Sequence, residues 1–305
     1  MYTFIKIFLF LLPSFLFSCI WLNGTTIDGK YTNVSGHYTY FIKNIEDRTI
    51  ENKLEKIKNS YSYKDKTPKE IKEDKAVILI LKGKYNQAIK SLLILEKLYP
   101  NSYSIASNLG TAYELNSNNQ KAIEWISEGI KRNKNSHYNT EWLHLYILKL
   151  KLKLATNPKY LQTKRAIPLP SSFTLTSKIN IEGNSYTIKE ILRAIHYQLR
   201  ERIIFVKPKD IIVADLFYTY MLIIGQTQSI EEALDVLDIT KLYGFSQHKI
   251  LEDKRVYYQN IIDNPSLLYY VQSHSIEIMS IVIIIGILLL LLLILRFFKW
   301  IIKKI

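Results

Sequence analysis

A chain of 305 residues, 48% hydrophobic and 22% charged, can bury a sizeable core, which excludes wholesale disorder and leaves room for one or two domains. The formal net charge of +14 is mostly dispersed Lys, a solvated surface with some attraction to anionic lipid rather than the clustered footprint of a nucleic-acid binder. One cysteine, Cys19, excludes an internal disulfide framework and a Cys-based metal cluster.

Residues 1–18 carry a lone Lys6 and then a short apolar run through IFLFLLPSFLF, too short for a comfortable membrane span and suited to the core of a secretory signal. Leu16, Phe17, Ser18 and Cys19 resemble the bacterial lipobox, although its position before the small residue is usually smaller than Phe17. The resemblance implies lipidation of Cys19; the other reading is an uncleaved N-terminal anchor with a buried thiol.

Residues 19–67 form a lead-in segment. Its Gly-, Thr- and Tyr-rich start, Asn23 to Tyr40, reads as irregular or weakly stranded. Apolar residues at Ile42, Ile45, Ile50, Leu54 and Ile57 then predict one or two helices. Thr67 followed by Pro68 predicts an N-cap and first helical residue.

Residues 69–154 hold a repeat. LKGKYNQAIKSLLILEKLYPNS at 81–102 aligns with LNSNNQKAIEWISEGIKRNKNS at 115–136 without a gap, at an offset of 34 residues. With the small residues Ala76 and Gly110, the alanines Ala88 and Ala122, Leu109 and Tyr113 inside NLGTAYEL, and Pro100 closing the first unit, the pattern resembles the tetratricopeptide repeat. The resemblance implies an all-α array of helical hairpins, an α-solenoid. In it the small residues allow close crossing of paired helices, the large ones fill the space around them, and Pro100 separates hairpins. Lys72 and Lys75 replace bulky apolar residues, so the first helix reads as a wet edge. A third first-helix is predicted over His137 to Leu154, with no matching second helix after it.

Residues 155–187 are a Pro-, Ser- and Thr-rich insertion, with alternation at Ile179, Ile181 and Tyr186 around EGNS that predicts a small β-hairpin or ordered loop. Residues 188–262 read as divergent helical repeats: Ile188 to Ile203, Ile212 to Ile224, Ile230 to Tyr243 capped by Gly244, and Lys249 to Ile262. Ile278 to Leu295 carries no charge, and at a helical rise of ~1.5 Å such a stretch spans about 27 Å, close to a hydrocarbon core. It predicts a transmembrane helix within 277–298, followed by a basic tail at 299–305. Arg296, Lys299, Lys303 and Lys304, with Phe297, Phe298 and Trp300, follow the span, whereas Asp263, His274 and Glu277 precede it. That bias places the tail in the cytoplasm and the body outside, in the periplasm or exterior.

No nucleophile motif, phosphate-binding glycine loop or HExxH appears, so no catalytic residue, cofactor or metal site is assigned. The most site-like constellation is His137, Glu141 and His144, which on one helix face would offer two imidazoles and a carboxylate to zinc; it supports the alternative of a metal-dependent hydrolase. The leading reading is a membrane-anchored, non-enzymatic scaffold with protein partners. The repeat resemblance implies a ligand groove along the first helices of the hairpins, here Ser104, Ser107, Thr111, Glu114, Tyr138 and Glu141. A carboxylate-clamp variant is disfavoured, since Glu73 and Val77 stand where it needs Lys and Asn.

Overall fold

The computed structural model of the chain describes residues 22–34, 39–45, 49–59 and 66–304. The expected signal sequence and Cys19 lie outside the described residues. The rest is mostly helical with two small sheets; one is the hairpin expected in the insertion, and the other, at the stretch read as irregular or weakly stranded, makes the all-α expectation too narrow. In the first hairpin, β1 (Leu22–Thr25) pairs antiparallel with β2 (Tyr31–Val34), Thr25 opposite Tyr31. Its turn contains Gly29 at φ +72, a left-handed conformation that glycine adopts at little cost. Helices α1 (Tyr40–Lys43) and α2 (Ile50–Asn59) follow.

Helix α3 (Pro68–Leu81) starts where Thr67 and Pro68 predict it. Glu70 donates its backbone N–H to Thr67 Oγ1 at 3.3 Å and its carboxylate accepts from the Thr67 N–H at 2.8 Å, a reciprocal capping box. Then come α4 (Tyr85–Leu98), α5 (Tyr103–Leu115) and α6 (Asn119–Arg132), consecutive helices packed pairwise. Ala76, Ala88, Leu109 and Ala122 are fully buried at these crossings, and Tyr113 is half-buried beside them. Pro100 sits exposed in the turn between α4 and α5, where it blocks helix continuation. Lys72 and Lys75 are exposed on α3, the wet edge expected of them.

The third expected helix starts late. Ser136–Asn139 form a 3-10 turn with His137, Tyr138 and Asn139 at φ of 50, 58 and 62, and α7 begins only at Glu141, running to Thr156. His137 therefore does not share a helix face with Glu141 and His144. Only the short α8 (Tyr160–Thr163) follows. The insertion ends in the second hairpin, β3 (Lys178–Ile181) with β4 (Asn184–Thr187), placed as the alternation predicts. Asp215 ties the insertion to the body: it accepts from the Ala166 backbone and from Arg165, both at 2.7 Å.

Helices α9 (Ile188–Arg202), α10 (Ile211–Thr227), α11 (Ile230–Leu242) and α12 (His248–Asp263) match the four expected segments closely. Gly244, just beyond α11, takes φ +89. The largest apolar cluster gathers α7, α9, α10 and α11; α10 is buried on nearly every side, including Met221. The first hairpin is fastened to α11 by Thr25, which donates its N–H and Oγ1–H to Glu231 at 2.8 and 2.7 Å. Beyond α12 lie α13 (Leu267–Ser273) and α14 (Ser275–Lys304). Glu277–Ile302 within α14 is long and apolar enough to cross a membrane, and none of it is buried against the body.

Candidate functional site

At the last turn of α5 stands Glu114, buried by α7 and α9. Burial by itself would raise its pKa; the Arg202 guanidinium, then His144 and Lys151, outweigh that and hold it well below the usual carboxylate range. One oxygen accepts from Arg202 Nη1 at 2.5 Å and Lys151 Nζ at 2.7 Å, and the other from His144 Nε2 at 2.7 Å. Arg202, on α9, continues the stripe of Ile188, Ile191, Ile195 and Leu199 that faces the core, so the packing that seats α9 also delivers the guanidinium.

A second carboxylate adjoins the first. Glu141 bonds His137 Nδ1 and lies 3.7 Å from His144 Nδ1. Burial would raise the Glu141 carboxyl, but hydrogen bonds from His137 and His144 bring it down to about 2. Burial would lower the His144 pKa; the Glu114 and Glu141 carboxylates raise it instead. The left-handed turn at 137–139 serves this arrangement by turning the His137 ring back onto Tyr197 of α9, stacked at 4.8 Å, and toward Tyr103 Oη at 3.1 Å.

Between α5, α7 and α9 remains a cavity of about 240 Å³, lined by Ser107, Thr111, Glu114, Glu141, Tyr197 and Arg202 among others. Four of the six expected groove residues thus meet there, although Glu114 and Glu141 are buried in ion pairs instead of lining an open surface. The reason is α9, which occupies the space that the groove would otherwise leave open. Ser104 and Tyr138 fall outside the lining: Ser104 donates to Glu73 at 3.0 Å, and Tyr138 is exposed with its ring edge toward Tyr197.

The residues not foreseen are Arg202, Lys151, Tyr197 and Gln198. A signal for Arg202 existed, since a charged residue on the apolar stripe of an amphipathic helix needs a buried partner. Chemically, both carboxylates are ionised and already paired, an arrangement that clasps α9 to α5 and α7 and leaves neither carboxylate poised as a base. Among the described residues, no group of three or more His, Cys, Asp and Glu side chains is placed to hold a metal ion. Fold and site together define a predominantly helical protein with a buried charge clasp and, among the described residues, one helix long and apolar enough to cross a membrane. Compared with protein-family models, curated proteins and solved structures, the chain matches none of them.

Proposed function

We propose that this protein is a membrane-anchored scaffold of tetratricopeptide-like hairpins, without enzymatic activity, that holds a protein partner on the periplasmic or outer side of the membrane. The reading is supported chiefly by the 34-residue offset between two hairpins whose small residues, Ala76 and Ala88 in the first and Gly110 and Ala122 in the second, are all buried. Helix α14 supplies the anchor, and the basic residues after it favour a cytoplasmic tail. A lipid on Cys19 would add a second tether to the same bilayer, making attachment effectively permanent.

Because α9 fills the deep part of the groove, the partner's contact falls on its rim, at Ser104 and Tyr138, with Ser107 and Thr111 lining the remaining cavity. The test is photo-crosslinking in native membranes from single positions. Crosslinkers at Ser104 and Tyr138 should give a protein adduct of one shared mass, absent from a crosslinker at the exposed Lys159. Adducts from Lys159 alone, or from none of the three, would reject the rim as the binding surface.

A further inference from the structure

We propose that α13 is an interfacial helix, lying in the headgroup region of the bilayer crossed by α14 and turning one apolar face to lipid while the other grips the body. The proposal rests on reading α14 as a membrane span.

The sequence splits this helix cleanly. At about 100° per residue, Leu267, Leu268, Tyr270 and Val271 occupy one half of its circumference and Tyr269 and Ser273 the other. The second half is engaged: Tyr269 is partly buried with its ring edge toward Tyr31, centroids 6.0 Å apart. Just before the helix, Ser266 donates both its N–H and its Oγ–H to the Gly29 carbonyl at 2.9 Å. Gly29 belongs to the β1–β2 hairpin, which Thr25 bonds to Glu231 of α11. A continuous set of contacts therefore runs from the body core to α13 and fixes its rotation.

The first half is bare. Leu267 is 80% exposed and Val271 49% exposed, and Leu268 and Tyr270 are exposed beside them. From Asn264 to Ile276 there is no Asp, Glu, Lys or Arg, and the one His, His274, falls after the helix with its ring nitrogen turned to Ser273 and the Tyr270 carbonyl, unlike the charged exposed face of α12.

Chain connectivity names the occupant. Three residues separate Ser273 from Glu277, where the apolar span begins. Even fully extended at about 3.5 Å per residue, that segment keeps Ser273 within about 14 Å of the span. The headgroup layer on each side of a bilayer is several ångströms thick, and amphipathic helices settle about 5–10 Å into it. With no linker long enough to carry α13 away, its uncharged Leu, Tyr and Val face meets lipid, and Tyr270 takes the place of an interfacial aromatic. Gripped by the hairpin on one side and by lipid on the other, α13 sets the height and tilt at which the body stands over the membrane.

The test uses the full chain, with Cys19→Ser, reconstituted in phosphatidylcholine vesicles. Nitroxide labels are placed one at a time at Leu267→Cys and Val271→Cys, at Val256→Cys on the water-exposed face of α12, and at Leu289→Cys in the middle of α14. Relaxation by dissolved oxygen is compared with relaxation by a water-soluble nickel chelate. Labels at 267 and 271 should favour oxygen and collide with nickel several-fold less often than the label at 256. Nickel access equal to that at 256, with 289 still in lipid, would overturn the inference while leaving the anchor intact. Shielding of 267 and 271 from both reagents would mean that protein covers the face, which also overturns it. Nickel access at 289 would remove the membrane span and this inference together.

Discussion

At the scale of single residues, the two helical glycines in the second hairpin meet opposite surroundings. A Cβ built on Gly110 would stand 2.4 Å from Ile126 Cδ1 and 3.2 Å from the Ile126 backbone nitrogen, so the crossing of α5 and α6 is close enough to forbid even a methyl group. A Cβ on Gly129 would approach nothing nearer than 3.7 Å, ordinary contact. Gly110→Ala should therefore destabilise the protein by about 1–3 kcal/mol through overpacking, despite alanine's better helix propensity. Gly129→Ala should stabilise it by up to about 1 kcal/mol. Thermal unfolding of the full chain in detergent would decide, and equal shifts for the two variants would contradict this account of the crossing. The sequence pattern singled out Gly110 but gave no reason to distinguish Gly129, because the difference lies in where the facing helix places its side chains.

At the scale of the element, α9 is held by charge as well as by its apolar stripe, and that should make stability depend on pH. The depressed carboxyls of Glu114 and Glu141 contribute stability that is present above the ordinary carboxylate value of 4.5 and lost as pH falls through their lowered values. His144, raised above its ordinary 6.5, contributes stability that is full below that value and lost as pH rises through the raised one. The clasp is thus strongest in the weakly acidic range between those two ordinary values. In a melting-temperature profile, His144→Gln should lower the maximum in that range and remove the decline on its alkaline side. Parallel alkaline limbs for the two proteins would show that His144 does not couple α9 to pH. Helix α9 itself was legible from its 3.6-residue stripe, and the helix after His137 nearly so. What could not be read was the left-handed turn at 137–139, since its conformation is set by the ring contacts of His137 with Tyr103 and Tyr197, on segments far apart in the chain.

At the scale of the whole molecule, two of the described helices are rich in apolar residues and their fates differ. Helix α10 is enclosed by its neighbours, whereas α14 projects with its apolar surface uncovered. A bilayer would cover that surface while every backbone group of the helix stayed bonded internally. If α14 spans the membrane as proposed, a fluorescent reporter fused after Lys304 and able to fold only in the cytoplasm should light up, and a dark, expressed fusion would reverse the topology. The four segments of the second half, the capped start at Thr67 and the apolar core of α14 were all determined by sequence alone, because each depends on the spacing of neighbouring residues, although α14 continues as helix to Lys304 through the stretch expected as a basic tail. The N-terminal hairpin's grip on α11, the closing of the groove by α9 and the burial of Glu114 were decided only by tertiary structure. The Glu114 to Arg202 contact joins residues 88 positions apart, and no local periodicity records which charge will face which once the helices pack.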